Sequence, residues 1–140
     1  MANRIPKEFK KRLWDDWVTG KTFKLALFTI LSNCNDEGVS TYAACLADGH
    51  EVTNGAGTAY TAGGATVTPA ASAYIDTFNV SVDATDISWS SATLSGARYA
   101  VLYETSIDII VCVYDLLADY SVTNGTLTVS VNVDGLFNLI

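Results

Sequence analysis

The stretch Ala92-Thr93-Leu94-Ser95-Gly96-Ala97-Arg98-Tyr99-Ala100-Val101-Leu102-Tyr103-Glu104, followed after two residues by Ile107-Asp108-Ile109-Ile110-Val111-Cys112-Val113-Tyr114-Asp115, decides the fold. It is rich in β-branched and aromatic residues and broken by turn formers, which is how strands read. The same texture runs from Thr22 to the end. It predicts strands at 22–30, 65–69, 73–82, 85–89, 92–104, 107–115, 125–132 and 136–140, and hence an all-β sandwich of Ig-like or jelly-roll-like character. By period two, Trp89, Tyr99, Val101 and Tyr103 fall on one face as core or sheet-packing residues. Asn124-Gly125 reads as a hairpin turn, because a type I′ turn takes positive φ at both central positions. Gly55, Gly57, Gly63 and Gly64 mark a turn region ahead of the 65–69 strand. Residues 33–50 lack a clear period, apart from a helical turn at Thr41 to Leu46, and are the candidate partner-facing loop.

Residues 4–18 read differently. Ile5, Phe9, Leu13 and Trp17 recur every four residues while Arg4, Lys7, Lys11 and Asp15 take other faces, the pattern of an amphipathic helix. Asn3 is its candidate cap, Pro6 suits its first turn and Gly20 its end. Its basic residues come early and its acidic ones late, against the helix macrodipole, so it needs a docking surface. The expected organisation is an N-terminal helix or arm at 1–20 and a single β-sandwich domain at 21–140.

Length and composition agree with one core. The chain has 140 residues, 49% hydrophobic and 16% charged. That composition excludes intrinsic disorder and leaves apolar surface for a partner. Charge is divided unevenly. Seven basic against three acidic residues give 1–24 a net +4, which leaves −11 for residues 25–140 out of a total of −7. Arg98 is the lone basic residue beyond Lys24, so the body has no means of binding nucleic acid by counterion release. Cys34, Cys45 and Cys112 are widely spaced and read as buried free thiols, neither a disulfide framework nor a zinc site. Leu25 to Leu31 is too short to span a bilayer, and Lys24 without a small-residue cleavage site argues against a signal peptide.

Catalytic signals are weak. The sequence has one histidine and no G-x-S-x-G, P-loop or H-E-x-x-H pattern, so the expectation is no enzyme. His50 beside Glu51 is a conceivable proton-transfer pair, weighed against a loop histidine. Asp83 and Asp86, with Asp76, are conceivable calcium ligands, weighed against turn-forming aspartates; no cofactor or metal is expected. Asp115 and Asp119 read as solvated charges.

Several strings taken in order carry a resemblance. They are Gly57-Thr58-Ala59-Tyr60-Thr61-Ala62-Gly63-Gly64, then Asp83-Ala84-Thr85-Asp86-Ile87-Ser88-Trp89 with Thr93, then Ala97-Arg98-Tyr99-Ala100-Val101-Leu102-Tyr103, and Ser121-Val122-Thr123-Asn124-Gly125. Together with the Lys-rich helix they resemble a family of small tailed-bacteriophage virion structural proteins, over nearly the whole chain. The departures are Thr58-Ala59 before Tyr60, and Gly96, which introduces a bulge. The resemblance implies a virion component assembled in the bacterial cytoplasm, labelled variously as a head, neck or tail protein.

The expected role is a capsid decoration or cement protein that binds the major capsid protein as a homo-oligomer, with a trimer among the options. The alternatives are a neck, tail or fibre-base protein, and a host-surface carbohydrate-binding module using Tyr42, Tyr60, Tyr74 and Tyr120. Phe9, Lys11, Arg12, Leu13, Trp14 and Trp17 are the expected partner contacts, the two tryptophans favouring protein over nucleic acid. The open alternative is a helix docked on its own domain. The 107–115 strand, without a lysine guard, is a candidate pairing edge.

Overall fold

The computed structural model describes residues 5–53, 59–69, 73–74, 80–131 and 137–139. Asn3, Gly55, Gly57 and Asp76 lie outside them, as does the Tyr74 side chain. The elements in chain order are α1 (Lys7–Val18), β1 (Phe23–Phe28), α2 (Tyr42–Asp48), β2 (Ala65–Val67), β3 (Ala73–Tyr74), β4 (Val80–Val82), β5 (Ile87–Glu104), β6 (Ile109–Val129) and β7 (Phe137–Leu139). The protein is mainly β, 47% strand, with a helix at its N-terminal end. Four strands form an antiparallel sheet in the order β2-β1-β5-β6, and three form a second in the order β3-β4-β7.

β1 lies inside the larger sheet, in register from Phe23↔Glu104 to Phe28↔Tyr99. Its run Phe-Lys-Leu-Ala-Leu-Phe is apolar on both sides of the pleat because both sides are covered. Phe23, Leu25 and Leu27 pack with Ala100 and Leu102 of β5 beneath Trp14, Val52, Tyr60 and Val82. Ala26 and Phe28 face the other way with Val101 and Tyr103, against Cys34, Cys45 and Tyr42. Each of these large side chains contributes about 1.5–3 kcal/mol by leaving water. Cys34 and Cys45 are free thiols within this second layer, and burial pushes Cys45 up to about 12.

Residues 33–50 are therefore not an open loop, as their lack of period suggested. A 3₁₀ turn at Asn33–Asn35 and helix α2 form the cover of that face. Thr41 caps α2, its Oγ1 accepting from Ala44 N at 3.2 Å, and Gly49 ends it at φ 81°. Helix α1 begins one residue after Pro6 rather than at Arg4, because the Pro6 carbonyl is the first acceptor, for Phe9 and Lys10 N–H.

Four expected strands merge into one hairpin, since the turn lies at 105–108 and the other turn signals become bulges. Ser90 and Ser91 stand against Thr126, Thr123 and Asn124 against Thr93, Ser95 and Gly96 against Ser121, and residues 116–119 against Arg98 alone. Positive φ falls at these points: Ser91 53°, Gly96 72°, Leu117 66° and Asn124 46°. The Asn124-Gly125 hairpin is thus corrected to a bulge, in which Asn124 N–H donates to Thr93 Oγ1 at 2.9 Å. The Gly96 bulge is present, its N–H donating to Ser121 Oγ at 3.0 Å. Each slip of one residue exchanges the faces of a strand. Trp89 consequently joins the α1 side with Ala92 and Leu94, whereas Tyr99, Val101 and Tyr103 pack on the α2 side. The expected 73–82 strand is likewise two, β3 and β4 paired with each other.

The hairpin turn is held by Glu104, whose side chain is out of contact with solvent. Its carboxylate accepts from Ser106 N–H at 3.0 Å, Ser106 Oγ at 2.8 Å and Ile107 N–H at 2.9 Å. Burial raises this carboxyl, but those hydrogen bonds, with Lys21 nearby, outweigh it and hold it at about 2. The folded value lies below the unfolded one, so the stabilisation is complete above about pH 4.5 and disappears as the pH falls towards about 2. Glu104→Gln should flatten that acid limb of the stability profile, read by circular dichroism. An unchanged limb would show that Glu104 does not hold the turn.

Candidate interaction surface

Helix α1 has two working sides. Trp14, Trp17 and Val18, at i, i+3 and i+4, turn towards the domain. Trp14 is 5% exposed and tilts against Phe23 at 5.8 Å between ring centroids, and Trp17 meets Phe23 edge-on at 5.6 Å. Away from them the helix carries Phe9 and Leu13, 55% and 54% exposed, and Ile5, 56% exposed, stands just ahead of Pro6. A step of four residues advances about 40° beyond a full turn, so the two steps from Phe9 carry Trp17 about 80° round towards the inner side. The sequence periodicity found the stripe but could not show this drift.

Of the six expected contacts, Phe9, Leu13 and Arg12 face outward. Arg12 pairs with Asp16 at 3.4 Å, and the half-buried Lys11 pairs with Asp15. Trp17 is half-buried, and Trp14 belongs to the core, which removes its indole from any partner's reach. Ile5 joins the set in its place. The two ion pairs run cation before anion along the helix, the weaker order, and the exposed Arg12–Asp16 pair contributes little. The outward side therefore sets the apolar Phe9 and Leu13 beside the charged Glu8, Arg12 and Asp16.

β6 forms the outer strand of its sheet. Its first residues are partly covered, with Ile110 N–H donating to Ser40 O at 2.9 Å. Farther along, Asp115 and Asp119 are not free solvated charges. Arg98 Nε donates to Asp115 Oδ1 at 2.6 Å, and its guanidinium lies 3.7 Å from Asp119. The Arg98 guanidinium keeps the Asp115 carboxyl below its usual range. Asp115 Oδ1 also accepts Leu117 N–H at 2.8 Å, which braces the bulge and leaves the Leu117 side chain 82% exposed. Beside it, Leu116, Tyr120, Leu127 and Val129 line a shallow groove.

The candidate tyrosines do not make a common surface. Tyr60 is buried and Tyr42 stacks on Tyr103 at 4.3 Å, while Tyr120 is exposed on β6. Tyr42 and Tyr60 instead serve Glu51. Its carboxylate accepts from Tyr42 OH at 2.8 Å, Tyr60 OH at 2.7 Å and Gly63 N–H at 2.7 Å. Burial first, then the Glu51 carboxylate, push both phenols above their usual range, and burial holds Tyr103 at about 12, so all three remain protonated donors at neutral pH. With both oxygens so engaged, Glu51 is a joint between elements rather than a base paired with His50. Sequence reasoning missed it because neighbouring His50 drew the chemistry; the signal was Tyr60 and Gly63 inside the glycine-rich turn.

Asp83 and Asp86 bond main-chain N–H groups, of Ala84 and of Val131, both at 2.8 Å. Among the described residues no three His, Cys, Asp or Glu side chains gather as a metal set, and no helix is long and apolar enough to cross a membrane. No family model, curated protein or solved structure matches the chain.

Proposed function

We propose that the chain is a non-enzymatic structural protein of a tailed-bacteriophage particle, a capsid decoration or cement protein that assembles through the outward side of α1. The observation that carries the assembly role is a helix anchored by two tryptophans that nonetheless presents Phe9 and Leu13 to solvent, with Ile5 exposed just ahead of it. Apolar patches rimmed by charge mark interaction sites. The ordered resemblance to virion proteins supports the particle as its setting. The outer strand β6 favours a second reading, a neck or tail ring closed by strand pairing.

Quantitative mass spectrometry of purified particles tests the setting. A copy number near that of the major capsid protein fits decoration, a small fixed number fits the neck or tail, and absence from particles refutes both. For the surface, Phe9→Asp should weaken attachment at least about tenfold, the scale of a central interface residue. Full attachment by this variant would reject α1.

A further inference from the structure

The two cysteines under α2 belong to different segments of the cover and enter the same buried layer. We infer that Cys34 and Cys45 are the two halves of a latent disulfide, which a low-molecular-weight disulfide oxidises into a bridge locking α2 to the 3₁₀ turn at Asn33–Asn35. This pairing is independent of the assembly role of α1.

Packing brings the thiols together. Both are free, 1% and 0% exposed, and the other fully buried members of their layer are Ala26, Phe28, Val101 and Tyr103. The floor of that layer is one cross-strand pair, Ala26 and Val101, with Phe28 and Tyr103 two residues away along their own strands. Paired strands stand about 4.8 Å apart and next-but-one residues about 7 Å, so a floor this small leaves two thiols little room to stand apart. Anchoring fixes the register between their segments. Asn33 N–H donates to Asp48 Oδ2 at 2.9 Å, which ties the residue before Cys34 to the last turn of α2. Cys45 stands three residues before Asp48 on that helix, hence on the same side and about 4.5 Å back along the axis. A disulfide joins Cα atoms about 4.4–6.8 Å apart, the same scale. In agreement, burial first and then the neighbouring Cys34 push the Cys45 thiol up. Cys112 packs on the α1 side of the sheet, which separates it from the pair.

The exchange balances without a further reactant. The Cys34 thiolate attacks one sulfur of the reagent disulfide and releases its first thiolate; the Cys45 sulfur then attacks the Cys34 sulfur of the mixed disulfide and releases the second. The two cysteine protons pass through water to the released thiolates. The protein has lost two hydrogens, and the reagent has become two thiols. Burial makes both cysteines poor nucleophiles, so the pair stays reduced in a thiol-rich cytoplasm and closes under oxidising conditions.

Counting alkylated thiols by intact mass tests the pair. The reduced chain, unfolded with iodoacetamide, takes one label on each of its three cysteines. After the folded chain is incubated with oxidised glutathione it should take one label and be lighter by two hydrogens. Cys112→Ser should then take none, and Cys34→Ser should still take two. The bridge closes the short loop from 34 to 45 and should raise Tm by about 5–10 °C, followed by circular dichroism. Refolding the reduced wild-type chain from urea in mixed oxidised and reduced glutathione gives the reagent access before the layer closes, and should yield the same single-label product with the native spectrum. The inference fails if the refolded chain regains that spectrum with Cys34 and Cys45 still alkylatable, keeps a glutathione adduct on either, or joins either to Cys112. An oxidised chain that melts below the reduced one would also overturn it, since the bridge would then distort the layer rather than lock it.

Discussion

Gly64→Ala should cost about 3–5 kcal/mol, enough to remove most or all of the stability of a marginally stable domain. Gly64 holds φ +79°, and a Cβ there would lie 1.8 Å from the Leu25 carbonyl oxygen and 2.7 Å from Ala26 Cα. Neither obstacle is a side chain that can rotate away. Both belong to β1, which is paired on one side with β2 and on the other with β5. Relief would require moving β1 out of register with a neighbour or expelling the turn from the sheet. Gly63 and Gly20 calibrate the effect. At Gly63 a Cβ would meet a side-chain atom, the Tyr103 hydroxyl, at the longer distance of 3.2 Å with φ +90°, and at Gly20 it would meet nothing within 4 Å. Urea unfolding should therefore rank Gly64→Ala well above Gly63→Ala, and Gly63→Ala above Gly20→Ala. A Gly64→Ala protein within about 1 kcal/mol of wild type would mean that the turn does not sit against β1 as described.

The glycine pair was visible in the sequence as a turn, but the reason for it was not. A local pattern shows that the chain bends at residues 63–64; it cannot show that another strand's carbonyl occupies the space of the missing Cβ. The same limit explains the hairpin. Ser90-Ser91, Gly96 and Asn124-Gly125 carry turn chemistry, and positive φ is found at Ser91, Gly96 and Asn124. Whether such a residue reverses the chain or inserts a bulge depends on pairing with a partner strand far away in sequence. Apolar content, by contrast, is local, and so β1, the body of β5 and β6, the α1 helix and the helical turn at Thr41 to Leu46 were legible. On the candidate surface, periodicity identified Phe9 and Leu13. Trp14, chosen for the interface preference of tryptophan rather than by period, stands about 100° round the helix from Leu13 and belongs to the core.

Glu51→Ala should be the second severe substitution, at about 3–5 kcal/mol, the scale of leaving hydrogen-bonded partners of a charge unsatisfied inside a fold. The carboxylate ties α2, through Tyr42, to the turn that holds Tyr60 and Gly63. The Tyr60 hydroxyl passes the connection to β1 by accepting Leu27 N–H at 3.0 Å, and Tyr103 of β5 closes it by donating to the Gly63 carbonyl at 2.8 Å. Alanine leaves the buried Tyr60 hydroxyl and the Gly63 N–H without their acceptor, whereas Glu51→Gln keeps one oxygen for them and should cost about 1–2 kcal/mol. The hub also predicts non-additivity. In a double-mutant cycle Glu51→Ala and Tyr60→Phe should couple by at least about 1 kcal/mol, since the second change removes a group the first has already stranded. Glu51→Ala with Arg98→Ala, on the β6 bulge, should add independently. If Glu51→Ala and Tyr60→Phe were additive within about 0.5 kcal/mol, the three donors would be acting separately, and Glu51 would be a satisfied carboxylate rather than the joint that fixes α2, the glycine turn and the sheet to one another.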